Sequence, residues 1–292
     1  MSVLDGFEHF ARKDESLAGL TGLRFPATAE FFAEPTNQDE LAAILKRFAS
    51  EKKPVRIIGA GSNLLVRDAH VEGLVVQLSA PAFSSIDVQE NRIVVGGGTR
   101  LSHFVASAVG EGMSGPQHLV GLPGTIGGAL YSDLEFPNVD IGTWVRSIKS
   151  LNRDGELVSH GGDGSPFSHY QSVLQGQIIV SVEMEFEKEA SEGLTKQMQK
   201  LWIVRRAKRP PADMSAAWIF KDHGGQSAAE LIESAGLKGV SSGGVSLFDA
   251  DPNFLVAEPG ATSEQAMELI EHIATEVEQK LDVKLERAIQ VW

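Results

Sequence analysis

Val55-Arg56-Ile57-Ile58-Gly59-Ala60-Gly61-Ser62-Asn63-Leu64-Leu65-Val66-Arg67-Asp68 starts with strand character, breaks in a turn with two glycines one residue apart, and resumes as an apolar run. Glycines at such a turn allow positive φ and a close approach of backbone to ligand. Successive N–H groups there can form an anion-binding nest, to which Ser62 and Asn63 add side-chain donors. Taken alone, the motif reads first as a tight strand-to-strand turn. A second glycine-rich turn downstream, Gly121-Leu122-Pro123-Gly124-Thr125-Ile126-Gly127-Gly128-Ala129, gives the first its weight. Pro123 fixes one φ there, and Gly124, Gly127 and Gly128 leave room for a flat ligand or a phosphate.

Working outward, Ala29 to Pro35 is expected to be a strand ended by proline. Thr36 reads as the N-cap of a helix to about Ser50, whose Leu41, Ile44, Leu45 and Phe48 share one face. Residues 1–20 suggest a short helix. Leu74 to Leu78 closes a β-α-β-β unit over residues 1–78. Residues 79–193 form a second unit, with a hairpin across Glu90-Asn91, a helix from about Arg100 to Gly110, and strands at 144–151, 156–159 and 178–186. Residues 194–292 form a third, with a helix from Leu194, a helix from Ser227 stopped by Gly236, and a long helix capped by Thr262 or Ser263. Val283 to Ile289 reads as a closing strand.

The chain has 292 residues, no cysteine and a net charge of −13. Disulfides, thiolate metal sites and a cysteine nucleophile are excluded, and eight histidines without HxxxH spacing give no support to a zinc site. The acidic balance argues against nucleic acid or an anionic membrane as partner. No signal-peptide pattern opens the chain, so a cytoplasmic protein is expected. An anionic ligand needs local help, and Arg205-Arg206-Ala207-Lys208-Arg209 is the one dense basic run. Basic residues near a helix C-terminus also simply suit the helix dipole.

Four blocks together resemble the UDP-N-acetylenolpyruvoylglucosamine reductase (MurB) family: Gly59 to Asp68, Gly121 to Ala129, Ser215 to Lys221 and Leu231 to Gly239. The resemblance implies an α+β protein. Its first two α/β subdomains would form an FAD-binding fold of the vanillyl-alcohol-oxidase type, followed by a MurB-type C-terminal substrate domain. Gly59, Ala60, Gly61, Ser62 and Asn63, with Gly121, Pro123, Gly124, Thr125, Gly127 and Gly128, would wrap the FAD. Arg205 and Lys221 would meet a small-molecule ligand of the UDP-sugar class. NADPH would be the reductant in an active member.

Carried across residue by residue, the family's catalytic set is missing. The block Ser215-Ala216-Ala217-Trp218-Ile219-Phe220-Lys221 puts Trp218 where the family has its proton-donating serine. Phe167-Ser168-His169-Tyr170-Gln171-Ser172 puts Tyr170 at the arginine position, and Leu285-Glu286-Arg287-Ala288 puts Ala288 at the glutamate position. Other departures are Pro26-Ala27 for paired glycines, Ser132-Asp133-Leu134-Glu135 for an Asn-Ala-Gly run, and Asp222-His223 for Asn-Pro. The expectation is a flavin-binding scaffold without the family's reductase activity. The alternative is an active NADPH- and FAD-dependent oxidoreductase, on the peptidoglycan precursor or on another substrate.

Overall fold

A computed structural model describes residues 3–132, 140–161 and 174–292. Five strands precede residue 78: β1 (Ala11–Ser16), β2 (Thr28–Ala33), β3 (Val55–Ile58), β4 (Leu64–Leu65) and β5 (His70–Gln77). Four of them make a sheet in the order β1-β2-β5-β3, with β3 parallel to β5. Helix α1 (Gln38–Ser50) links β2 to β3 and buries Leu41, Ile44, Leu45 and Phe48. Each of those side chains stabilises the layer by about 1.5–3 kcal/mol.

The next sheet is antiparallel: β6 (Ile86–Gln89), β7 (Arg92–Gly96), β8 (Val145–Leu151), β9 (Leu157–Gly161) and β10 (Ile178–Glu185), in the order β6-β7-β10-β8-β9. Helices α2 (Leu101–Gly110) and α3 (Ile126–Tyr131) contribute Phe104, Val105, Ile126 and Ala129 to its core, beside Ile148 and Val182. Helix α4 (Ser191–Lys208) follows. The last sheet is β11 (Ser215–Trp218), β12 (Ser241–Ser242), β13 (Val245–Phe248) and β14 (Asp251–Ala257), in the order β11-β14-β13-β12. Helices α5 (Ala228–Ser234) and α6 (Ser263–Leu281) cover it, packing Leu231, Ile232 and Ile270 with Phe220 and Leu255. A final strand, β15 (Gln290–Val291), pairs parallel with β4.

By internal contacts the chain divides into two units. The first comprises residues 1–15, 29–60 and 72–202, and the second comprises residues 16–28, 61–71 and 203–292. Among the described residues no helix is long and apolar enough to cross a membrane.

Several local expectations are corrected. Residues 11–16 form strand β1 rather than a helix. The run Ala11-Arg12-Lys13-Asp14-Glu15-Ser16 has no alternation of its own. Tertiary partners hold it beside β2: Arg12 lies 4.7 Å over the Phe32 ring and bonds Glu34 at 3.0 Å. The N-cap of α1 is Asn37, whose side chain accepts from Glu40 N–H, while the Glu40 carboxylate takes the N–H and hydroxyl of Thr36. The expected strand over 283–289 does not form: the chain there bonds in single bridges such as Phe220 with Arg287, and the last strand, β15, lies just beyond it at Gln290–Val291. Thr262 caps α6 and Ser227 caps α5, each with a full capping box.

Candidate functional site

In the first unit, β3 delivers Gly59 against the second glycine turn. A Cβ at position 59 would lie 2.7 Å from Thr125 Oγ1, so only glycine lets the two turns meet. Thr125 is buried, and its hydroxyl accepts from Gly128 N–H at 3.1 Å, capping α3. Gln77 Nε2 donates to Gly59 C=O at 3.0 Å from the neighbouring strand. A third glycine run, Gly96-Gly97-Gly98-Thr99, underpins the second turn. Gly97 C=O accepts from Gly127 N–H at 2.7 Å, and Thr99 C=O accepts from Ile126 N–H at 2.9 Å. Neither Gln77 nor this third run was among the expected site residues. Three consecutive glycines before a helix were the available signal.

These bonds sort the expected cofactor residues. The amides of Gly127 and Gly128 are spent on protein acceptors, so these two glycines serve through their lack of a side chain. Gly121, Pro123 and Gly128 are exposed along the turn, and Gly121 and Gly124 hold φ of +74° and +130°. The first turn is different. No acceptor among the described residues takes the N–H of Ala60, Gly61, Ser62 or Asn63. Four successive open amides are what an anion nest requires, and this fits a phosphate-bearing cofactor.

In the second unit, Gly61 has φ +60°, and a Cβ there would run into Leu20 C=O. Asn63 is committed to the protein. Its Oδ1 accepts from Trp218 N–H at 3.1 Å, its Nδ2 donates to Ala288 C=O at 2.9 Å, and its own C=O accepts from Gln290 N–H at 3.0 Å. Its side chain was expected as a ligand donor, and it acts as a clamp. The clamp brings Trp218 and Ala288 together, and Ile219 C=O accepts from Ala288 N–H at 2.8 Å. Tyr170, His169, Asp133 and Glu135 lie outside the described residues.

Trp218 stands opposite Phe254 across the β11–β14 ladder, both half-buried. The guanidinium of Arg209 lies 5.7 Å over the Phe254 ring. Burial pulls the Arg209 pKa down to about 10, the like charge of Arg205 adds to this, and the Asp251 carboxylate opposes it. Burial also lowers Arg205 and raises Asp251. Lys221 is less open to a ligand than its sequence position suggests. Its Nζ pairs with Glu286 at 2.7 Å, and its N–H donates to Glu286 C=O at 2.9 Å. Asp222 accepts from Ala228 N–H at the start of α5. Among the described residues no group of acidic or histidine side chains is set to hold a metal ion.

Residues 209–292 match the model of the UDP-N-acetylenolpyruvoylglucosamine reductase C-terminal domain, and residues 29–161 match an FAD binding domain. The chain is 38% identical to the UDP-N-acetylenolpyruvoylglucosamine reductase of Rhodopirellula baltica, over 97% of this chain and 93% of that protein. It is 31% identical to that of Anoxybacillus flavithermus, over 96% and 93%. The crystal structure of the Thermus caldophilus reductase superposes with a TM-score of 0.78 at 27% identity, over 97% of this chain and 100% of that one. A variant of Phl p 4, a glucose oxidase, shares the fold at 13% identity, with a TM-score of 0.50 over 75% of this chain and 52% of that one. With both domain models, near full-length identity and the glycine-turn geometry in agreement, the chain belongs to the UDP-N-acetylenolpyruvoylglucosamine reductase (MurB) family and takes FAD as its cofactor.

Proposed function

We propose that this chain is a MurB-family flavoprotein that has lost the family's reductase chemistry while keeping FAD and a small-molecule ligand of the UDP-sugar class. The observation that carries the reading is the meeting of Trp218 and Ala288 on the two arms of Asn63. These are the positions where the resemblance expects a proton-donating serine and a glutamate. FAD, when bound, would supply hydride-transfer chemistry, with NADPH as the reductant in an active member. In the first unit, Gly59, Gly124 and Gly127 would keep a wall free of side chains for it; in the second, the open amides of Gly61 to Asn63 would be donors for an anionic group.

Reduction of an enolpyruvyl double bond also needs a proton at the carbon next to the hydride acceptor. The indole N–H of Trp218 does not exchange protons usefully near neutral pH, and Ala288 has no proton to give. Each lost electrostatic or acid group costs about a hundredfold to a thousandfold in rate. Ser215 stands three residues from Trp218 on the same strand and so faces the opposite side. On the ligand side, Arg205 and Arg209 would carry most of a diphosphate contact, because Lys221 is already paired with Glu286.

A retained activity is favoured by the 38% identity to a named reductase across nearly the whole chain. The assay that decides is NADPH oxidation with the enolpyruvyl UDP-sugar, on the parent and on the triple variant Trp218→Ser, Tyr170→Arg, Ala288→Glu. A silent parent with turnover in the triple variant is the expected outcome. Robust turnover by the parent overturns the proposal. Calorimetry with UDP-N-acetylglucosamine should show binding that weakens at least tenfold in Arg205→Ala.

A further inference from the structure

In the first unit, at the opposite end of β3 from Gly59, a cavity of about 380 Å³ is lined by Ala49, Lys52, Lys53, Pro54, Val55 and Arg153. Three basic residues line one hollow on a chain whose net charge is −13. They come from two places. Lys52 and Lys53 follow the C-terminus of α1, whereas Arg153 belongs to the turn between β8 and β9 in the other sheet of the same unit.

Both supports are rigid. Lys52 N–H donates to Ala49 C=O and Lys53 N–H to Phe48 C=O, the pair of bonds that closes a helix in a Schellman turn. That turn places its left-handed conformation on Lys52, at φ +54°, where glycine is the easier residue. Arg153 rides on a turn fixed by Asn152, whose side chain accepts from Asp154 N–H at 3.0 Å and from Glu156 N–H at 2.9 Å. Gly155 in that turn packs so closely on α1 that a Cβ would run into Ala42 C=O. Lys53 is part-neutralised by Glu30 at 2.7 Å, with its ammonium 4.9 Å from the Phe31 ring. Attraction to the helix C-terminus explains a lysine at position 52. It does not explain an arginine brought to the same hollow from another strand pair.

We infer that this hollow is a binding site for a phosphate-bearing small molecule, separate from the glycine turns. Lys52 and Arg153 hold a tetrahedral oxyanion, with Lys53 shared between it and Glu30, and the walls of Ala49, Pro54 and Val55 take a short apolar group esterified to it. A ligand there bridges the α1–β3 connection to the β8–β9 turn and so braces the two sheets of the flavin-binding unit.

The test uses FAD-loaded protein, so that phosphate does not compete at the flavin site. Tm is measured in inorganic phosphate, in glycerol phosphate and in chloride of equal ionic strength, for the parent, Lys52→Gly and Arg153→Gln. Lys52→Gly suits the turn, so its Tm in chloride should equal or exceed the parent's. The parent should gain about 2–4 °C in phosphate over chloride, and both variants should lose that gain. A larger gain with glycerol phosphate would identify an ester as the preferred ligand, and an equal gain would identify the free anion. No gain in the parent overturns the inference. An equal gain in parent and variants overturns it as well, since phosphate would then act elsewhere.

Discussion

At position 59 a methyl group would sit 2.7 Å from the Thr125 hydroxyl, while the threonine Cβ and Cγ2 would be 3.7 Å away. The conflict is with a single oxygen atom, and that makes it measurable. Gly59→Ala should destabilise the protein by about 1–3 kcal/mol and release FAD. Thr125→Ala loses the cap on α3, at about 1 kcal/mol. In the double variant the obstructing oxygen is gone, so the second substitution should add little to the first. Denaturant titration of the four proteins should give a coupling of about 1 kcal/mol or more. Strict additivity would mean that the two turns do not meet through this contact. Gly61 allows no such rescue, because its obstruction is the backbone carbonyl of Leu20 and its φ is left-handed.

Among the elements, α1 carries the clearest pH dependence. Glu40 accepts from Thr36 N–H at 2.7 Å, from the Thr36 hydroxyl at 2.8 Å and pairs with His9 at 3.1 Å. The Thr36 amide is the largest cause of a Glu40 pKa held below its ordinary value, with His9 and the hydroxyl adding to it. A depressed carboxylate pKa stabilises the fold above the ordinary glutamate range, and that contribution fades as pH falls through the lowered value. Glu40→Gln should therefore flatten the acid limb of a stability–pH profile and leave stability nearly unchanged once the pH is below that lowered value. Asn37→Ala removes the cap itself and should cost about 1 kcal/mol at every pH, a difference that thermal melts across pH resolve.

The whole chain is woven rather than strung. The division falls inside the first glycine turn: residues 61–71 belong to the second unit, where β4 pairs with β15. Three backbone bonds tie the last residues to this loop: Gln290 N–H to Asn63 C=O, Trp292 N–H to Leu65 C=O, and Arg67 N–H to Trp292 C=O. Removing residues 290–292 should therefore destabilise the second unit by about 3 kcal/mol, at about 1 kcal/mol net for each bond. Asn63→Ala strips partners from Trp218 N–H and Ala288 C=O and should cost about 2–4 kcal/mol. If the truncation melts like the parent, the C-terminal tether is not what holds this loop.

Local chemistry was enough to read much of this from the sequence. The helical spacing of Leu41, Ile44, Leu45 and Phe48 marked α1, and the glycines of both turns marked places where backbone had to come close. The hairpin across Glu90-Asn91 and the helix starts at Ser227 and at Thr262 or Ser263 follow from short-range bonds, which a pattern of neighbouring residues can encode. What the tertiary structure alone decided is of longer range. Strand β1 has no alternation and exists because Phe32, Glu34 and their neighbours receive it. Asn63 looked like a ligand donor because nothing in its own stretch shows that Trp218 and Ala288, far along the chain, claim its side chain. Lys221 looked available for the same reason, with Glu286 out of sight. Side-chain amides and ammonium groups bond whichever partner the fold brings within about 3 Å. Sequence fixes which donors exist; packing decides where they are spent.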